Sequence, residues 1–228
     1  MKIWFFGDSW VAGCELARFK STNNLNFGKD EPSLAFPNII QELTGIECIN
    51  KGVSASSQPS MIEYFHGCNF NKGDVAIFAL TSPGRRMYRS DDGSIADQGC
   101  TANKEFMNQY DDERVSSQAI ALLYYMSLSR GVTPYFFNLF DCVRFGDITY
   151  NEIPEENWLI SNSSSIIDTL FDIEYFKQYD HHRDWNFQEW LETENELVQK
   201  YIRPCEAHPN LNGHRAIADF IIEKLCLN

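Results

Sequence analysis

Lys2-Ile3-Trp4-Phe5-Phe6-Gly7-Asp8-Ser9-Trp10 is the stretch from which the fold is read. Four apolar residues run directly into Gly-Asp-Ser. A short continuous apolar run reads as a buried strand, and the glycine behind it marks a turn. Ser9 then stands at the carboxyl end of a central strand, where ligands bind in open α/β sheets. A serine there can act as a nucleophile if a base lies within reach. Taken alone, the same serine reads first as a helix cap, because a lone Gly-Asp-Ser is a weak signal.

The rest of the chain repeats this alternation. Ser33 is placed as the N-cap of a helix carrying Leu34, Ile39, Ile40 and Leu43, with Gly45 as its C-terminal cap. Ile46–Asn50 reads as a second strand, followed by the small-residue turn 51–58 and by Pro59 at a first helical position. Asp74–Leu80 is apolar throughout, as a parallel strand buried on both faces should be. Residues 87–112 are polar and read as a surface excursion. Glu113–Arg130 is the clearest helix, with Val115, Ala119, Leu122, Leu123 and Met126 as its stripe and Gly131 as its stop. Thr133–Leu139 is a fourth strand. Asn212 is placed as the N-cap of a last helix bearing Ile217, Phe220, Ile221 and Leu225.

Strands alternating with helices predict a single α/β domain over residues 1–228, with a parallel sheet between two helical layers. Residues 142–200 fit the alternation poorly. They hold Trp158, Trp185 and Trp190 among many acids and read as an aromatic-rich insertion, with helices around 164–180 and 186–201. That insertion serves either as a lid or as a subsidiary core on the sheet edge.

Composition narrows the function. The chain has 228 residues, 43% hydrophobic, and a formal net charge of −13. An acidic surface without a basic patch disfavours nucleic acid. Seven cysteines form no Cys-x-x-Cys pair, which gives no support to a zinc or redox site and suits a reducing compartment. No apolar run reaches the length of a membrane span, and the start lacks a signal-peptide pattern. The expectation is a cytoplasmic protein, or one assembled there into a virus particle. His181-His182 reads as a solvated turn rather than a metal site. No glycine-rich phosphate loop is present.

Near the other end stands Cys205-Glu206-Ala207-His208-Pro209-Asn210-Leu211-Asn212-Gly213-His214. A histidine on a loop before a terminal helix can supply the imidazole that takes a serine proton. With these two stretches the chain resembles the SGNH (GDSL-type) hydrolase superfamily. Gly7-Asp8-Ser9 matches its nucleophile block, and His208-Pro209-Asn210 matches its histidine block. Asn50 and the strand ending at Ser82 fall where its second and third blocks stand.

The resemblance implies a three-layer α/β/α, flavodoxin-like fold and hydrolysis of acyl esters without metal or cofactor. Ser9 would be the nucleophile and His208 the general base. The N–H groups of Ser9 and Ala55, with the Ser82 hydroxyl, would hold the oxyanion. Small-molecule or glycan esters, acetylated sugars first, would be the substrates.

Three positions depart from the family pattern. Ala55 replaces an oxyanion glycine but keeps the N–H. Ser82 replaces an asparagine; losing one oxyanion donor costs on the order of 10²–10³ in rate. Cys205 replaces the usual aspartate, so Glu206, a backbone carbonyl or Asp141 would have to orient the imidazole. Asp8 and Arg85, at the ligand end of the sheet, are candidate substrate contacts. A non-catalytic binding or structural module of the same fold is the alternative those replacements allow.

Overall fold

The computed structural model describes residues 1–13, 32–54, 56–81, 86–89, 95–98, 109–139, 153–171, 200–201 and 208–227. Four parallel strands form the sheet: β1 (Ile3–Phe6), β2 (Cys48–Asn50), β3 (Val75–Leu80) and β6 (Thr133–Asn138), in the order β2-β1-β3-β6. The chain moves outward from β1 to β2 and then crosses to β3 on the other side. The switch point of the sheet therefore lies at the carboxyl end of β1, where the chain continues into Gly7-Asp8-Ser9.

Residues alternate across the sheet with a period of two, and each face receives its own helices. Ile3 and Phe5 of β1, with Ile77, Ala79 and Phe137, pack against α2 (Phe36–Thr44) and α6 (Leu211–Lys224). Trp4 and Phe6, with Ala76, Phe78 and Phe136, pack against α3 (Gln58–His66) and α4 (Gln109–Ser129). All four residues of β1 are buried, as its apolar run requires. Phe5 and Phe6 point to opposite faces, and each contributes about 1.5–3 kcal/mol by burial. The result is the three-layer α/β/α arrangement.

Local structure departs from the sequence reading in several places. The helix expected to start at Ser33 begins at Phe36, and Ser33 lies in a 3-10 turn, Pro32–Leu34. Its N-cap, Ala35, has no side-chain oxygen to offer. The Phe36 N–H donates instead to Nδ1 of His214, 3.2 Å away on α6. His214 is 1% exposed and stacks on the Phe36 ring. A tertiary contact thus replaces the local cap. At the other end Gly45 closes α2 with φ +70°, as expected.

The buried residues of α4 are Ser116, Ser117, Ala119, Ile120, Leu123, Tyr124 and Ser127 among those described, whereas Val115 and Leu122 are 38% and 47% exposed. Serines share the inward face, which displaced the expected stripe by about one residue. The last helix is capped by Asn210, whose Oδ1 accepts from the Gly213 N–H at 3.0 Å, and not by Asn212.

Within the polar region 87–112, β4 (Arg86–Arg89) and β5 (Ile95–Gln98) form an antiparallel pair in a separate sheet. The described part of the 142–200 region packs on the sheet edge. Phe136 pairs with Trp158 and Asn138 with Ser165 in isolated parallel bridges. Ile160, Ile166, Ile167 and Phe171 are buried in the core with α2 and α6. In place of a helix over 164–180, a short α5 (Ile166–Thr169) is seen in the described part, and 172–199 lie outside it. Cys48, Cys68 and Cys226 carry no disulfide; burial pushes the Cys48 thiol up to about 12, whereas Cys226 is exposed.

Candidate active site

The turn after β1 is built tightly. Asp8 caps α1 (Ser9–Ala12), its Oδ1 accepting from the Trp10 N–H at 3.0 Å. Its Oδ2 accepts from the Thr81 hydroxyl at 3.1 Å. Asp8 is fully buried, so its carboxylate is engaged inside the protein. Gly13 then ends α1 in the left-handed region, φ +74°. Ser9 becomes the first residue of a helical turn, 6% exposed, and its N–H has no acceptor within that turn.

The second loop docks on this turn. Lys51 N–H donates to the Phe5 carbonyl and Val53 N–H to the Gly7 carbonyl, which prolongs the pairing beyond the strands. Asn50 donates Nδ2 to the Val11 carbonyl at 2.7 Å and accepts from Gly52 N–H at 2.9 Å. A Cβ on Gly52 would lie 2.4 Å from the Ala12 nitrogen, so only glycine admits this approach. Further on, Ser57 and Ser60 form a reciprocal capping box at the start of α3.

His208 arrives from the opposite end of the chain. Asn210, two residues on, donates its N–H to the Tyr201 carbonyl and its Nδ2 to the Lys200 carbonyl. Tyr201 stacks on Phe171 with ring centroids 4.8 Å apart, and Phe171 lies 6.4 Å from Trp10. An aromatic row therefore runs from beside Ser9 to the base of the histidine loop. In this frame His208 Nε2 lies 2.8 Å from Ser9 Oγ, across 199 residues of sequence. With the ring proton on Nδ1, the serine hydroxyl donates to Nε2, which is the arrangement a general base needs.

The structure thus brings together Ser9, Asp8 and His208. Ala55, Ser82, Arg85, Asp141, Cys205 and Glu206 lie outside the described residues. Sequence reasoning passed over Gln58 and Thr81, both buried beside this turn; Gln58 Nε2 donates to the Thr81 carbonyl. A polar residue directly behind an all-apolar strand was the available signal for Thr81. A cavity of about 380 Å³ beside the second loop, lined by Asn50, Lys51, Glu63 and Tyr64 among others, does not include Ser9 or His208.

No family model matches the chain, and no curated protein sequence matches it. Solved structures do share its fold. LAE5, an α/β hydrolase from the metagenome of Lake Arreo, is similar with a TM-score of 0.54 at 15% identity, over 100% of this chain and 96% of that one. Axe2, an acetylxylan esterase from Geobacillus stearothermophilus, gives 0.52 at 15% identity, over 98% and 93%. A protein assigned to the G-D-S-L lipolytic family, from Desulfitobacterium hafniense DCB-2, gives 0.50 at 12% identity, over 98% of both chains. With its parallel β2-β1-β3-β6 sheet and Gly-Asp-Ser at the switch point, the chain has the α/β fold of the GDSL-type (SGNH) hydrolases.

Proposed function

We propose that this protein is a serine ester hydrolase that works through Ser9 and His208. The observation that carries the reading is the 2.8 Å contact between Ser9 Oγ and His208 Nε2 at the carboxyl end of β1. His208 takes the hydroxyl proton as Ser9 Oγ bonds to the acyl carbon, and the carbonyl π electrons move onto oxygen. The Ser9 N–H, together with Ala55 N–H and the Ser82 hydroxyl, stabilises that oxyanion. Collapse breaks the bond to the alcohol, which leaves with the proton from His208. Water then attacks the acyl-serine, gives its proton to His208, and releases the acid as the proton returns to Ser9.

Small O-acyl esters of carbohydrates are the substrate class to test first, because structures of the same fold include an acetylxylan esterase. Release of acetate from acetylated xylo-oligosaccharides and from p-nitrophenyl acetate is the measurement, with Ser9→Ala as control. Turnover of the oligosaccharides by the wild type, abolished in Ser9→Ala, is expected. Turnover of p-nitrophenyl acetate alone would remove the carbohydrate assignment. No turnover of either by well-folded protein would leave a non-catalytic binding module of this fold.

A further inference from the structure

Two buried polar side chains stand behind the nucleophile turn without touching Ser9 Oγ or His208. Gln58, the first residue of α3, is fully buried, and its Nε2 donates to the Thr81 carbonyl. Thr81 follows β3 directly, is 2% exposed, and donates its hydroxyl to Asp8 Oδ2. Asp8 in turn holds the Trp10 N–H. The contacts form one continuous line: α3, the end of β3, the Asp8 carboxylate, the turn that carries Ser9.

Packing alone does not account for Gln58. Its Oε1 is buried and accepts no hydrogen bond among the described residues. A buried acceptor without a donor opposes stability, and an apolar side chain of the same length would bring no such oxygen. What the amide supplies is a fixed distance between two segments. Gln58 lies three residues beyond Ala55, and Thr81 immediately precedes Ser82. Gln58 fixes the start of α3 to the end of β3, and Thr81 fixes the end of β3 to Asp8, one residue before Ser9.

We propose that Gln58 and Thr81 are positioning residues that hold the Asp8 turn, and with it Ser9, in register with the ends of β3 and α3. This role rests on the reading of Ser9 as nucleophile. Neither residue touches substrate; each acts through Thr81 O, Asp8 and the backbone. Small displacements of such supports reduce the chemical step while leaving binding largely intact.

The test uses the full chain, p-nitrophenyl acetate as substrate, and kcat expressed per serine titrated with a fluorophosphonate. Thr81→Val keeps the shape and removes the donor to Asp8. It is expected to lose on the order of 10-fold to 100-fold in kcat, with KM within about twofold. Thr81→Ser, which restores the hydroxyl, is expected to recover most of that loss. Gln58→Met is expected to lower kcat likewise while its Tm stays level or rises. Wild-type kcat in Thr81→Val and Gln58→Met would overturn the proposal, as would losses that only track a fall in Tm. A wild type that neither turns over nor reacts at Ser9 would instead mark failure of the nucleophile reading, and the positioning role would fall with it.

Discussion

Two buried aspartates stand at opposite ends of the same pair of strands. Asp74, just before β3, accepts from Lys2 N–H at 2.8 Å, Asn71 N–H at 3.0 Å and Trp4 Nε1 at 3.1 Å. It ties the start of β1 to the start of β3. Asp8, just after β1, ties the end of β1 to the end of β3 through Thr81, and the next residue's hydroxyl faces His208. Residue type and burial are the same in both. At the amino end the donors close the carboxylate into the fold; at the carboxyl end they hold the turn that sets Ser9 against His208. A buried carboxylate is thus not itself a sign of chemistry, and what it holds in place decides.

The sharpest way to break this contrast is to remove a group from each end. His208→Gln should reduce ester turnover on the order of 10⁴-fold while the Tm stays near that of wild type. Asp74→Ala should do the reverse. It leaves buried donors without an acceptor, so unfolding in urea should show a loss of about 3 kcal/mol, with kcat per folded molecule unchanged. If Asp74→Ala lowers kcat at full stability, the two ends are not separate in function.

Acid should weaken the fold through Asp74. Burial pushes its carboxyl up, but the donors from Asn71, Lys2 and Trp4 outweigh that and hold it below the ordinary aspartate value. The folded state therefore binds fewer protons than the unfolded one. The stability this contributes is full at neutral pH and is lost as the pH falls from about 5 toward the folded-state value. Urea midpoints measured from pH 7 down to 3 should fall more steeply in wild type than in Asp74→Asn.

A smaller effect is expected at the second loop. Gly52→Ala forces a Cβ onto the Ala12 backbone and should cost about 1–3 kcal/mol, read as a lowered urea midpoint. The smallest belongs to His214, remote in sequence from α2. His214→Phe keeps the stacking on Phe36 but removes the acceptor for its N–H, for a loss of about 1 kcal/mol by the same measurement.

The strands were legible because parallel strands buried on both faces leave continuous apolar runs: Ile3–Phe6, Val75–Leu80 and Thr133–Asn138 lie within the expected spans. Gly7-Asp8-Ser9 and His208-Pro209-Asn210 were legible as short blocks at the ends of those elements, and the fold places them in contact. What escaped was set by tertiary contact. The start of α2 depends on a histidine 178 residues away. The inward face of α4 carries serines, so its apolar residues misstate its orientation. The β4–β5 pair arises in a polar stretch with little alternation to announce it. Gln58 and Thr81 bear ordinary turn and cap chemistry in sequence, and their link to Asp8 exists only across the sheet.

The central claim is that Ser9, activated by His208, is a nucleophile. Incubation with a fluorophosphonate, followed by intact-mass and peptide analysis, tests it most directly. One adduct per chain on Ser9 is predicted, absent in Ser9→Ala and strongly slowed in His208→Gln. A folded wild-type chain that stays unlabelled, or labels equally well in Ser9→Ala, would contradict it.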